Sequence, residues 1–301
     1  MNNNSKIKIY CLTLASVLMG LFGAVCLYLG IFSEYDGAMG HFSADSVFAP
    51  CVYLCIAAGA VLGAVGWVIF RKSASLDVSL PGGALVKVSL CLAAASVLFV
   101  SAIDARAYFN AFAVQIPAIE IIGWVLSILA AVSFISQAFF CPEGEKTPAW
   151  VSLLSFFGPI YFAVRVLILY FDQTVAVNSP VKFICQLAYI AFMLVLTAEC
   201  GMSLGRGQIY PRYIFTLCLA AAAGGACAVC AVVATLSGAD VAPLTGSGCI
   251  DKIAVFIYCC VRIALCASVE VSEKKEKESG EDGEESLDVI PDENAFSEDE
   301  E

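Results

Sequence analysis

Charged residues are scarce in this chain and make up only 14% of its 301 residues, against about 25% in soluble globular proteins. Hydrophobic residues make up 60% of the chain, above the usual share of about 45–50%. A soluble fold would leave a large part of this apolar surface in water. The composition therefore predicts an integral membrane protein in contact with the lipid bilayer.

Histidine and recognisable catalytic motifs are also lacking. His41 is the only histidine, which argues against a haem with a histidine ligand and against a histidine-based zinc site. The sequence contains no H-E-x-x-H, Walker A or G-x-G-x-x-G motif, and the short connections leave no room for a soluble catalytic domain. Most of the 15 cysteines lie in apolar runs, where cysteine packs as a small hydrophobic residue. We predict a chain that is not an enzyme and that uses no metal and no cofactor.

A basic patch is absent as well, so nucleic acid is not an expected partner. The formal net charge of −11 comes from the C-terminal end, because residues 270–301 hold 15 of the 27 acidic residues and 3 of the 16 basic ones. Hydrophobic residues nearly vanish there, so we predict residues 271–301 to be a disordered acidic cytoplasmic tail. Its main apolar island, Ser-Leu-Asp-Val-Ile at 286–290, is either a docking peptide for a cytoplasmic protein or a chance cluster.

The rest of the chain, residues 1–270, is predicted to be an all-α bundle of about eight transmembrane helices. A hydrocarbon core of about 30 Å needs about 20 apolar residues in helical conformation. Eight such runs are present: 7–32, 51–70, 85–103, 118–140, 150–171, 181–204, 213–237 and 252–269. Lysine and arginine are concentrated in every second connection, which predicts that both termini are cytoplasmic in a multi-pass protein of the cell membrane.

Small residues predict how these helices pack. Gly59 and Gly63 form a G-x-x-x-G motif with Gly66 on the same helical face, a pattern that lets helices approach closely in lipid. The run 213–237 contains still more alanine and glycine. We expect it to lie at the centre of the bundle.

Charged residues at membrane depth are the candidate functional residues, since each is costly to insert. On the fifth span, Gly158, Tyr161, Arg165 and Asp172 share one helical face, and Gly158-Pro159 predicts a break near mid-membrane. A broken helix beside a buried arginine suits a site for an anionic solute. The alternative is a tolerated kink, with Arg165 forming a structural ion pair with Glu120.

Two further charges, Glu199 and Arg262, lie on the sixth and eighth spans. Both are expected in the half of the bundle that faces the cytoplasm, so they are predicted to form a second interhelical ion pair. The alternative partner for Glu199 is Arg206, which lies two turns further along the same side of its helix.

The residues Asn-Ser-Pro-Val-Lys-Phe-Ile-Cys-Gln-Leu-Ala at 178–188 and Thr-Ala-Glu-Cys-Gly-Met-Ser-Leu-Gly-Arg at 197–206 resemble a segment of uncharacterised multi-pass membrane proteins from clostridia-like Gram-positive bacteria. This resemblance implies a bacterial cytoplasmic membrane as the location. It implies no activity.

From these observations we predict an accessory or regulatory membrane protein whose acidic tail meets a cytoplasmic partner. The alternative is a small-solute transporter with a site near the Gly158-Pro159 break and Arg165. The candidate binding residues are Glu120, Gly158, Pro159, Tyr161, Arg165, Glu199 and Arg262.

Overall fold

A computed structural model describes residues 3–36, 40–43, 45–71, 77–78, 82–110, 116–141, 147–173, 175–176, 178–204, 210–239, 241–266 and 271–272. Within these ranges the chain forms nine helices and four two-residue strands. The helices are α1 (Asn3–Glu34), α2 (Phe48–Phe70), α3 (Ala84–Asn110), α4 (Ala118–Phe140), α5 (Ala149–Leu154), α6 (Phe157–Phe171), α7 (Pro180–Ser203), α8 (Tyr210–Leu236) and α9 (Gly248–Cys266). The fold is an all-α bundle, as predicted.

Two small antiparallel strand pairs lie in segments outside the helices. Strand β1 (Tyr35–Asp36) pairs with β2 (His41–Phe42) between α1 and α2, and β3 (Asp77–Val78) pairs with β4 (Val271–Ser272). We call the end of the bundle that carries β1 and β2 the hairpin end. Apart from Val271–Ser272, the predicted tail 271–301 lies outside the described residues.

Among the described residues, seven spans are long and apolar enough to cross a membrane, counting α5 and α6 as one span, Ala149–Phe171. The chain is therefore an integral membrane protein. Helix α9 takes the place of the predicted eighth span, 252–269. It carries Asp251, Lys252 and Arg262, all of which are buried in the bundle, so its charges contact protein rather than lipid.

Six of the helices close into a ring. Helix α3 packs against α4, α4 against α6, α6 against α7, α7 against α8, α8 against α9, and α9 returns to α3. Helices α1 and α2 pack together against the outer side of α8. This places α8 at the centre of the molecule, as its many small residues predicted.

The glycine face of α2 is used for this packing. A Cβ atom added at Gly59 would lie 2.3 Å from the Cβ atom of Ala222, and one at Gly63 would lie 2.9 Å from the carbonyl oxygen of Phe215. Both contacts are on α8, so the G-x-x-x-G motif joins α2 to the central helix.

The predicted break in the fifth span is confirmed. Helix α5 ends at Leu154 and α6 begins at Phe157, so that Ser155 and Phe156 form a turn one helical turn before Pro159. The proline ring displaces the carbonyl four residues earlier, which belongs to Ser155.

Candidate functional site

The first candidate site lies inside the helix ring, near the hairpin end. We call it the Arg165 cluster and define it as Asp104, Tyr161, Arg165, Asp251 and Lys252, with Tyr189. The Arg165 Nη1 atom lies 3.0 Å from Asp104 Oδ2, and Arg165 Nε lies 3.8 Å from Asp251 Oδ2. One guanidinium group of α6 therefore joins a carboxylate of α3 to a carboxylate of α9.

Asp251 is the fully buried carboxylate of the cluster. The Tyr189 hydroxyl lies 3.2 Å and 3.1 Å from its two oxygens, and the backbone N–H of Lys252 donates to Oδ1 over 2.8 Å. The Lys252 ammonium donates to the carbonyl oxygens of Pro243 and Gly248 and lies 4.9 Å from the centre of the Tyr189 ring. Both charges of this α9 pair thus have protein partners.

Asp104 is the more accessible carboxylate. Its side chain is 21% exposed, whereas that of Asp251 is 0% exposed. Its Oδ2 atom accepts the hydrogen bond from Arg165, and its Oδ1 atom accepts one from Ser247 in the connection between α8 and α9, over 2.9 Å. Asp104 is therefore the carboxylate of the cluster that lies nearest to the surface of the bundle.

Two buried donors of this cluster have no hydrogen-bond partner among the described residues: the Tyr161 hydroxyl and Arg165 Nε. The 3.8 Å contact of Nε with Asp251 is too long for a hydrogen bond. Tyr161 is fully buried, and its hydroxyl lies within electrostatic range of Arg165 and Asp251. Because residues four apart lie on one face of a helix, α6 presents two unused donors to the ring interior.

The second site, the Glu199 cluster, comprises Glu199, Tyr213, Tyr258 and Arg262 at the opposite end of the ring. Glu199 Oε1 accepts a hydrogen bond from Tyr213 over 2.8 Å and lies 3.1 Å from Arg262 Nε. Glu199 Oε2 accepts one from Tyr258 over 2.5 Å, and the Tyr258 oxygen in turn accepts one from Arg262 over 2.8 Å. The predicted Glu199–Arg262 pair is thus confirmed, whereas the alternative partner, Arg206, lies outside the described residues.

An aromatic layer separates the two clusters. The Phe162 ring lies 5.1 Å from that of Tyr161, 5.9 Å from that of Tyr189 and 6.0 Å from that of Phe192. Phe162 and Phe192 are fully buried. The polar groups of the two clusters are therefore not continuous through this part of the ring.

The predicted Arg165–Glu120 ion pair is wrong. Arg165 contacts Asp104 and Asp251 instead, whereas Glu120 accepts a hydrogen bond from Tyr108 over 3.2 Å. The reason is that α3 continues through Asp104 to Asn110. Asp104 therefore lies on a helix of the ring and occupies the position next to Arg165.

The helix break is closed by packing. A Cβ atom added at Gly158 would lie 3.3 Å from a methyl group of Leu196 and 3.4 Å from the ring of Phe134. Pro159 is also buried. The predicted binding position at Gly158-Pro159 is therefore filled by side chains, and the polar groups lie one to two turns further along α6.

The sequence patterns do not single out Asp104, Asp251 or the role of Tyr189. The predicted third span ends at Ile103 and the predicted eighth begins at Lys252, so Asp104 and Asp251 lie just outside them. Spacing was the signal that could have identified the α9 residues. Asp251 lies 7 residues before Tyr258 and 11 before Arg262, so the three share one face of a helix. That face of α9 is buried, together with Lys252.

Cysteines and metal ligands form no site of their own in the part of the chain that the structure describes. No group of three histidine, cysteine or acidic side chains there is placed to hold a metal ion. Cys227 of the Cys-x-x-Cys motif lies 3.4 Å from Cys185, sulfur to sulfur, between α8 and α7. Ten of the 15 cysteines are buried, which fits the interpretation of most of them as packing residues.

Comparison of the chain with protein-family models, with curated proteins and with solved structures gives no match. The function is therefore argued from the geometry of the two clusters.

Proposed function

We propose that this chain is a non-enzymatic membrane component with an accessory or regulatory role. Its helix ring is held by internal ion pairs, and its acidic tail binds a cytoplasmic protein partner. The resemblance of residues 178–188 and 197–206 to bacterial multi-pass proteins supports the bacterial cytoplasmic membrane as its location.

The observation that carries this proposal is the pairing of buried charge within the protein. Arg262 is paired with Glu199, and Arg165 is paired with Asp104 and Asp251. Buried charges that serve structure are expected to find such partners in a membrane. The packed surroundings of Gly158 and Pro159 support the same interpretation, because a site in the helix break would need space there.

The tail supports a protein partner through its charge. Residues 270–301 carry a large negative excess, whereas the other residues are nearly neutral. A polar, acidic segment with few hydrophobic residues binds by charge complementarity and orders on contact. The partner is therefore expected to present a basic cytoplasmic surface.

Two measurements test this proposal. The purified full chain in liposomes should move no member of a panel of amino acids, organic acids, nucleosides and metal ions above the rate of empty liposomes. Deleting residues 273–301 should leave the thermal stability of the bundle unchanged and should remove a defined complex from gently solubilised source membranes. Uptake by the chain alone would overturn the proposal.

The second candidate function is small-solute transport. The observation that favours it is the pair of unused donors at Tyr161 and Arg165 inside the ring, since a bound polar solute would satisfy them. Its test is uptake into liposomes by the wild type and by Arg165→Gln. Loss of uptake with an intact fold supports transport, and loss of the fold supports a purely structural arginine.

A further inference from the structure

The charges of the Arg165 cluster balance. Arg165 and Lys252 supply two positive charges, and Asp104 and Asp251 supply two negative ones. A ligand with a net charge would leave that charge uncompensated in a medium of low dielectric constant, which is costly. The cluster therefore favours a ligand whose own charges sum to zero.

The unused hydrogen-bonding groups indicate what such a ligand carries. The Tyr161 hydroxyl and Arg165 Nε are donors without a hydrogen-bond partner in the described structure, and an oxygen acceptor fits them. A carboxylate is the acceptor that arginine binds best, through charge-assisted hydrogen bonds. One end of the ligand is thus expected to be a carboxylate.

Asp104 offers the complementary end. Each of its oxygens accepts one hydrogen bond from the protein, and a carboxylate oxygen has the capacity for two. Asp104 is also the accessible carboxylate, whereas Asp251 is fully buried and already accepts from Tyr189 and from a backbone N–H. An ammonium group is the donor that fits Asp104.

The protein groups that would bind the two ends of the ligand lie close together. The guanidinium group of Arg165 supplies a donor for the carboxylate and also contacts Asp104, which would bind the ammonium. Arg165 Nη1 binds Asp104, and Arg165 Nε, on the same planar group, makes no hydrogen bond within the described structure and lies 3.8 Å from Asp251 Oδ2. A ligand that carries its carboxylate and its ammonium on one carbon matches this short separation.

We propose that the Arg165 cluster is a binding site for a free α-amino acid. The ligand carboxylate accepts from the Tyr161 hydroxyl and Arg165 Nε, and the ligand ammonium donates to Asp104. Phe162 closes the site on the side of the Glu199 cluster. This inference deepens the second candidate function and rests on it for transport, whereas binding itself is tested separately.

The experiment measures the thermal stability of the full chain in detergent with each of the twenty amino acids. At least one should raise the melting temperature of the wild type, because a ligand that binds only the folded state stabilises it. For each amino acid that does so, the matched amine without the carboxylate and the matched acid without the ammonium should give no shift. Equal shifts with the matched acid or the matched amine would overturn the proposal, as would no shift with any of the twenty.

The decisive variant is Tyr161→Phe, and Tyr213→Phe is its matched control in the Glu199 cluster. Tyr161→Phe removes a hydroxyl that has no hydrogen-bond partner among the described residues, so it should fold normally and bind the amino acid about tenfold more weakly, the effect of roughly one lost hydrogen bond to a charged group. Tyr213→Phe should melt at a lower temperature and keep the wild-type affinity. Wild-type affinity in Tyr161→Phe would overturn the proposal.

Uptake of the bound amino acid into liposomes separates this inference from the transport function. Binding with uptake supports both. Binding without uptake supports the site and removes transport, so that the amino acid would then act as a signal to an accessory component.

Discussion

The Glu199 cluster and the Arg165 cluster each place an arginine beside a carboxylate and a tyrosine, inside the same ring of helices. In the Glu199 cluster both carboxylate oxygens accept tyrosine hydroxyls, and Arg262 contacts both the carboxylate and Tyr258. In the Arg165 cluster Tyr161 and Arg165 Nε keep unused donors, and Asp104 is partly exposed. The difference teaches that burial of a charge does not by itself indicate a ligand site. Unused hydrogen-bonding capacity beside a partly exposed charge is the stronger indication.

Arg262→Gln is expected to have the largest effect, because it breaks the closed cluster. Removing one partner of a buried ion pair costs about 3–5 kcal/mol, and Glu199 would keep its charge without a cation. The measurement is the free energy of unfolding in mixed micelles titrated with a denaturing detergent. A change within about 1 kcal/mol of the wild type would show that the Glu199 cluster does not hold the ring together.

Arg165→Gln is expected to cost less, about 2–3 kcal/mol, below the range for fully buried pairs. Asp104 is partly exposed and can be hydrated, and Asp251 keeps its bonds from Tyr189 and the backbone. The same unfolding titration measures it. Arg106→Gln, at an exposed arginine on the same helix as Asp104, is the control and should stay within about 0.5 kcal/mol of the wild type. A loss as large as that of Arg262→Gln would remove the distinction between the clusters.

Tyr213→Phe should lower the free energy of unfolding by about 0.6–1.7 kcal/mol, the range for hydrogen bonds between transmembrane helices. Glu199 would keep its contacts with Tyr258 and Arg262, which is why the effect is smaller than that of losing the arginine. Urea cannot be relied on to unfold such a bundle, so the detergent titration is again the measurement. No change at all would mean that this hydroxyl is not bonded to Glu199.

Tyr161→Phe is expected to change stability least, by less than about 0.5 kcal/mol, and toward greater stability. The variant removes a buried hydroxyl that makes no hydrogen bond within the described part of the chain, so it leaves no other group there unsatisfied. In the same assay, the difference in the free energy of unfolding between Tyr161→Phe and Tyr213→Phe compares the two clusters directly. One variant removes a hydroxyl without a hydrogen bond in the described structure, and the other removes a hydroxyl bonded to Glu199. A destabilisation equal to that of Tyr213→Phe would show that the Tyr161 hydroxyl is bonded within the protein.

Sequence reasoning reached the fold and part of the site. Composition and run length predicted the helix bundle, alanine and glycine predicted the central position of α8, and the proline predicted the break before α6. The Glu199–Arg262 pair was predicted because both residues lie well inside apolar runs, where a charge needs a partner.

The partners of Arg165 could not be predicted in the same way. Asp104 directly follows the predicted third span and Asp251 directly precedes the predicted eighth, where a charged residue is equally compatible with a solvated helix end. Whether each of them faces the ring interior depends on the rotation of its helix about the helix axis. That rotation is set by contacts between helices distant in the sequence, such as α3 with α9, and one amino-acid sequence does not report it.

The close contact between α1 and α8 has a consequence for biosynthesis. A Cβ atom at Gly20 would lie 2.3 Å from the carbonyl oxygen of Ala221, so the face of α1 fits a helix that is made about 200 residues later. At a synthesis rate of about 5–20 residues per second, α1 waits in the membrane for roughly 10–40 s before its main partner emerges. During this interval its small-residue face is covered only by lipid and, later, by α2. Helix α1 is therefore made long before its main partner and reaches its final contacts late, and truncated chains that lack α8 should be the preferred substrates of membrane quality control.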